Sequence, residues 1–585
     1  MNARRLVLLL LLVLPLVPPA ALAQRDARVA ALADRFVATY RETFPLYYEG
    51  VGLPDPVRDR LNANSPRDLA RWRRFVDDLD RQSARIDAAA LRGTPDAVTL
   101  AVLRQALRME QAEATCRDEL WHVTASDWLL EFMQIAELQS VASEADRKAA
   151  LRRYAQVPAY IEQETRHLRA GLAAGYSAAR TAVQDKLVTM DELLATAIAD
   201  NALMSPANRA QSPEFTRQWQ ALLERRVLPA IRRHRDFLRN EYLPRARTNP
   251  SISAIPGGAA CYRALLTAGT SVELDPEDAF ARGVSRAEGE VRGALDLAQR
   301  HYGRPFTSLP ELHRTLAADP ANRFATVEDL RRFIETTLAT SKQKTTRVVA
   351  DPPRDDVAIK PFPTTTAPSG QYVPADAEGT REAVYYYRAD IQNLSPAQLE
   401  STVLHEVWPG HHLQFIYSLA RSKGHGHPIS QLVFVPGVGE GWATYVEGLG
   451  RELSIYASDL GAMGSVMDSM TPRMVADLGV HVRGWSEAQA FDYLVKAIPA
   501  LPPERLKGTL AAIVSNPGAA VPYAAGAMQI EALRDEARRA MGDRFDLRRF
   551  HELLIEGGTV PFPVLADKMA RWAAESASAT PAPPR

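Results

Sequence analysis

Apolar residues recur every three or four positions through most of the chain, with charged residues between them, which predicts a largely helical protein. From about Arg25 to Arg247 the pattern predicts successive amphipathic helices. One opens at Pro66-Arg67, and others cover Glu144 to Ala170, Asp185 to Ala199 and Glu214 to Tyr242, the last interrupted at Pro229. Turn residues at Thr248-Asn249-Pro250 and Pro256-Gly257-Gly258 place a division near residue 250. Helices resume over Pro276 to Tyr302 and Val327 to Ala339. Between 351 and 380 the pattern changes, because Pro352, Pro353, Pro361, Pro363, Pro368, Gly370 and Pro374 exclude a long helix. Val357 to Phe362 and Ala383 to Arg388 read as short strands. Such strands form either a structural hairpin over the core or an edge on which an extended peptide pairs. Ser395 as N-cap, with Pro396 and Gln398 behind it, then starts a helix leading into His405.

The two ends depart from this pattern. Arg4 and Arg5 precede the apolar run Leu6 to Val17 and the small-residue Ala21-Leu22-Ala23, the order of a secretory signal peptide. Residues 1–23 are therefore expected to be removed and the mature protein exported, periplasmic or secreted, without stable membrane insertion. Residues 574–585, rich in Ala, Pro and Ser, are expected to be disordered. The 585 residues are 46% apolar, enough for a large core, and 70 basic residues balance 70 acidic ones. No basic block points to nucleic acid. Cys116 and Cys261 are the only cysteines. In an oxidising compartment they can form a disulfide, the alternative being two buried thiols. Without a C-x-x-C pair they make no zinc–thiolate site.

The chemistry concentrates at His405-Glu406-Val407-Trp408-Pro409-Gly410-His411-His412, followed by Glu440-Gly441-Trp442-Ala443. Two imidazoles, one carboxylate and a second carboxylate beside the first imidazole form the ligand set of a catalytic zinc hydrolase. The usual motif spaces its histidines at i and i+4. Here His411 lies at i+6, ~600° round and ~9 Å along an ideal helix, and His412 at i+7 lies ~10.5 Å along. Pro409 gives no hydrogen bond to the His405 carbonyl, and Gly410 tolerates unusual dihedrals, so a wide bulge or kink is expected to bring His405 and one later histidine together. His411 is favoured as that ligand, with His412 supporting it or facing substrate. Glu440 would be the third ligand, Glu406 the general base, and Glu447 a partner for a ligand imidazole. His425 and His427 stand in a Gly- and Pro-rich stretch that reads as a surface loop, and His122 and His551 stand alone.

These residues, with Arg473-x-x-x-Asp477-x-Gly479-x-His481, Gly484-Trp485-Ser486, Pro522-Tyr523-x-x-Gly526 and Phe550-His551, resemble the bacterial family known as domain of unknown function 885. That family is grouped with gluzincin-type metallopeptidases, whose helical relatives include the carboxypeptidase Taq and angiotensin-converting-enzyme groups. The resemblance implies a mainly α, two-lobed zincin-like fold with a central cleft and a small β-sheet beside the metal-binding helix. An N-terminal helical lobe would span 24–250 and a catalytic lobe 251–573. It further implies one zinc ion per chain and a peptide substrate. His481 and Tyr523 are candidate donors to a developing oxyanion. Arg473 either binds a substrate carboxylate or pairs with Asp477 at i+4. The leading expectation is an exported zinc metallopeptidase acting on short peptides. The alternatives are a zinc hydrolase of another amide or ester, and a non-catalytic helical binding protein with a degenerate metal site.

Overall fold

The computed structural model describes residues 26–125, 127–362, 368–376, 381–422 and 426–578. The expected signal peptide, His425 and residues 579–585 lie outside them. The protein is mainly helical, with one three-stranded sheet, and no described helix is long and apolar enough to cross a membrane.

Proline placement explains where the helices depart from the sequence pattern. The segment Glu144 to Ala170 is two helices, Glu144–Tyr154 and Val157–Ala173. Pro158 sits in the first turn of the second, where a missing N–H costs nothing. The helical run from Pro213 passes Pro229 without a break because a π turn, Leu223–Val227, precedes it. A second π turn, Leu238–Tyr242, precedes Pro244. The wider turn makes room for a ring that would clash with the carbonyl four residues back. Pro276–Tyr302 is one helix, as expected. The last helix, Phe562–Ser578, runs into the segment expected to be disordered. Trp572 packs on the core and Arg544 Nη1 donates to the Ala577 carbonyl at 3.3 Å, so the Ala-rich chain keeps its helical form.

The largest apolar core joins Val29 through Leu107 to residues between Ala294 and Met569. A second core lies wholly within Leu46 to Ala246. The division expected near residue 250 is thus crossed, because the helices Ala27–Thr43, Pro66–Ala84 and Pro95–Cys116 contribute to the same core as the candidate site. Cys116 and Cys261 are bonded, tying the end of helix Pro95–Cys116 to helix Gly258–Thr270.

The sheet consists of β1 (Ala358–Pro361), β2 (Gly370–Val373) and β3 (Val384–Tyr387), in the order β1-β3-β2. β1 and β3 are parallel, with Ala358 opposite Val384, so they do not form a hairpin. The Pro-rich chain between them supplies β2, antiparallel to β3 with Tyr372 opposite Tyr385. Five helices carry the conspicuous motifs: α1 (Pro396–Glu406), which packs against β2, α2 (His411–Ser422), α3 (Pro436–Glu452), α4 (Thr471–His481) and α5 (Val521–Met541).

Candidate metal centre

Ser395 caps α1 through its side chain and Pro396 occupies the first turn. A wide bulge or kink within one helix was the expectation, but the helix instead stops at Glu406. The Val407 N–H closes the last turn on the Val403 carbonyl at 2.9 Å, the Trp408–Pro409 peptide is cis, and α2 begins at His411. Gly410 is what allows so short a corner: a Cβ there would lie 1.8 Å from the His405 carbonyl oxygen. Trp442, from α3, clamps the corner by donating its indole N–H to the Pro409 carbonyl at 3.0 Å and to that of Gly410 at 3.3 Å. The corner lets two histidines six residues apart face one point.

At that point His405 Nε2 lies 3.5 Å and His411 Nε2 3.3 Å from Glu440 Oε2. Among the described residues this is the one group whose three ligand atoms lie within 4.8 Å of one another. Two imidazoles and a carboxylate on a shared point are a donor set that fits zinc. Burial works to raise the Glu440 carboxyl, but His411 and His405 outweigh it and hold it well below the usual carboxylate range. His412 is buried with its ring turned away: Nε2 donates to the Asp355 carbonyl at 3.0 Å and Nδ1 accepts from the Tyr372 hydroxyl at 3.2 Å. Glu447 takes the Nδ1 hydrogen of His405 at 2.8 Å and is itself held by the Ser401 hydroxyl at 3.0 Å, which leaves His405 Nε2 facing Glu440.

Glu406 ends α1, and its Oε2 accepts the Tyr372 N–H of β2 at 2.8 Å. Tyr523 comes from the first turn of α5. Its ring lies 6.3 Å from that of His405 and 17° from parallel. The Glu440 carboxylate above all, and burial after it, push its phenol well above the ordinary value, so it keeps its proton. Its position follows from a close helix crossing. A Cβ on Gly526 would lie 1.9 Å from the Gly437 carbonyl oxygen, and one on Gly441 2.7 Å from Gly526 Cα. Only glycines permit α3 and α5 to touch backbone to backbone, and that contact puts Tyr523 beside Glu440.

The profile of the bacterial proteins of unknown function DUF885 matches residues 45–569. The chain belongs to that family. The DUF885 chain is also similar in fold to two solved structures. One, from Colwellia psychrerythraea and provisionally named a lipoprotein, is 19% identical with a TM-score of 0.84, covering 94% of this chain and 99% of its own. The other, a protein of unknown function from Shewanella oneidensis likewise provisionally named a lipoprotein, is 15% identical with a TM-score of 0.69, covering 93% and 99%. No curated protein matches significantly.

His481, Arg473 and Asp477 of this DUF885 protein serve a different purpose from the one expected. His481 is not beside the metal ligands: its Nδ1 accepts the Ile252 N–H and its Nε2 donates to the Ile513 carbonyl, both at 3.1 Å. Burial lowers it to about 4, leaving a neutral ring with no free N–H to offer an oxyanion. Arg473 does not pair with Asp477. It binds the Asp468 carboxylate and the carbonyls of Asp468 and Ser469, the latter at 2.9 and 2.8 Å. Asp477 accepts the Tyr262 hydroxyl at 2.6 Å and the N–H groups of Gly518 and Ala520, which anchors the start of α5 and hence Tyr523. His551 is buried between the Tyr445 hydroxyl and the Val348 carbonyl, and His427 pairs with Asp34 at 3.1 Å.

Two contributors to the site carried no motif. Tyr372 holds both Glu406 and His412 from a strand hidden among prolines. Phe434, 37% exposed, lies 6.5 Å from the His411 ring and covers Gly439. Neither had a signal in the local sequence: Gly370-Gln371-Tyr372-Val373 does not alternate, and Phe434 stands in an ordinary apolar run.

Proposed function

We propose that this protein is an exported, zinc-dependent metallopeptidase of helical zincin-like architecture that cleaves short peptides in a cleft between two lobes. The observation that carries the reading is the convergence of His405, His411 and Glu440 with the unshared oxygen of Glu406 and a protonated Tyr523 beside them. His405, His411 and Glu440 would hold the ion, with Glu447 fixing the ring of His405. A bound zinc ion supplies Lewis acidity, acidifying water and polarising a carbonyl. Glu406 Oε2 is committed to the Tyr372 N–H, so Oε1 is the atom that takes a proton from the attacking water and returns it to the leaving amine. The Tyr523 hydroxyl donates to the carbonyl oxygen as charge develops on it. Phe434 gives the substrate an apolar wall beside His411. The leader-like N-terminus and the lipoprotein names of the two structural neighbours support export.

The test pairs metal content with turnover. Protein purified without chelator should carry about one zinc per chain, and Glu406→Gln should keep it while kcat falls roughly 10²–10⁴-fold, the usual worth of a general base. Failure to bind zinc after reconstitution, or a Glu406→Gln variant as active as wild type, would overturn the reading.

A further inference from the structure

Phe434 is placed by the residues on either side of it. Val433, Phe434 and Val435 link the helix Ile429–Leu432 to α3, and the backbone of both valines is extended. Successive side chains of an extended chain point to opposite sides. Val433 and Val435 are buried, at 7% and 0% exposure, so Phe434 points outward and is 37% exposed. One buried hydroxyl fixes this arrangement. Thr559, in the turn between the helices Leu547–Ile555 and Phe562–Ser578, accepts the Val435 N–H at 3.0 Å and donates to the Val433 carbonyl at 3.1 Å. The two groups it satisfies flank Phe434, so turning the ring inward would cost both bonds.

A single exposed apolar side chain is ordinary on a protein surface. The position of this one is not. Phe434 and Tyr47 are the two most exposed of the described aromatic residues, and Phe434 stands against the metal ligands. A Cβ on Gly439 would lie 2.2 Å from Phe434 Cζ, so the ring rests on the first turn of α3, at the residue before Glu440. Its centroid is 6.5 Å from that of His411. The His411 and Glu440 side chains are 15% and 19% exposed, so the ligands themselves reach solvent. An aromatic ring already held in place loses little freedom when a second apolar group covers it. A group that covers this ring lies next to whatever occupies the metal centre.

We propose that Phe434 makes the site selective for peptides with an aromatic or large aliphatic side chain beside the bond to be cleaved, and that Thr559 is the positioning residue that holds Phe434 for this role. The proposal deepens the peptidase reading and rests on it for the statement that the bound molecule is a peptide to be cleaved.

Binding and cleavage separate the two ideas. The Glu406→Gln protein, in zinc-containing buffer, is titrated with fluorescein-labelled hexaalanine and with counterparts that each carry one phenylalanine at a different position. At least one phenylalanine peptide should bind about tenfold more tightly than hexaalanine, the low end of what an added apolar contact contributes in a binding site. Phe434→Ala should bring that peptide to within roughly twofold of hexaalanine, and Phe434→Leu should keep part of the preference. Thr559→Val removes the hydroxyl at nearly constant volume and should lower the preference, whereas Thr559→Ser should retain it. Zinc content on the same samples identifies any variant whose metal centre has failed, and the leucine and serine variants then carry the test. Peptides that all bind alike, or not at all, or a preference that survives Phe434→Ala, overturn the selectivity whatever the enzyme hydrolyses. A Thr559→Val protein with a lower Tm and an unchanged preference overturns the positioning role. The expected preference in a protein whose zinc-loaded wild type cleaves none of these peptides upholds the apolar subsite and removes the peptidase reading; cleavage without preference does the reverse.

Discussion

Glu447 touches His405 on the side of the ring away from Glu440, and that contact selects the nitrogen left free. With Nδ1–H donated to Glu447 at 2.8 Å, Nε2, 3.5 Å from the Glu440 carboxylate, is the nitrogen left to serve a metal ion. Removing the acceptor frees the ring to turn and to change tautomer, which weakens metal binding without touching a ligand atom. Glu447→Ala is therefore expected to lower zinc affinity about 10–100-fold, and Glu447→Gln, whose amide oxygen can still accept, to lower it less. Competition against a chromophoric chelator measures both. Wild-type affinity in the alanine variant would show that Ser401 and Glu447 merely fill space.

At the scale of the element, the decisive unit is the corner between α1 and α2. A side chain at Gly410 would lie 1.8 Å from the His405 carbonyl oxygen, in contact with backbone rather than with a movable side-chain tip. Gly410→Ala must push α2 away from α1 and carry His411 with it. It should abolish zinc binding at micromolar metal and destabilise the protein by about 1–3 kcal/mol, the range for a residue forced into overpacked surroundings. Denaturant melts alongside metal titration check it; an alanine variant with both properties intact would mean that the corner relaxes freely. The corner also marks how far sequence reading reaches. The odd spacing of His405 and His411, the proline, the glycine and Glu440 all pointed to one site, because each acts locally on the backbone. That the helix ends rather than bulges depends on Trp442 reaching across from α3, a contact distant in sequence with no local signal. The same reason hid β2, whose four residues lie among prolines and gain their hydrogen bonds from β3. His481 and Asp477 misled in the opposite sense. Their spacing looked chemical, whereas burial against Ile252, Ile513 and Gly518 makes them fasteners of the helices around Tyr523.

Over the whole molecule, buried carboxyls give stability a pH dependence whose sign can be worked out. Burial, as the leading cause, raises Glu110 to about 8 and Asp118, Glu131, Glu164 and Asp477 to about 7. In the unfolded chain the same groups titrate near ~4. The folded protein therefore holds protons that the unfolded chain has released, and stability from these groups, complete below their unfolded values, is lost as pH rises through about 7 and 8. Buried His234, His481 and His551, lowered to about 3, 4 and 4, act with the opposite sign, but only below an unfolded value near ~6.5. Lys186 also opposes the carboxyls, since burial lowers it, so a single variant is a cleaner probe than the absolute slope. The metal-free protein should lose Tm between about pH 6.5 and 8.5. Glu131→Gln, which keeps an acceptor for Asn62 now 2.9 Å away, should flatten that decline by less than ~1.4 kcal/mol per pH unit, the worth of one proton. A Tm that holds level or rises across this window in the wild type, or a slope unchanged in Glu131→Gln, would mean that the enclosed acids of the N-terminal helices are hydrated and ionise as they do in water.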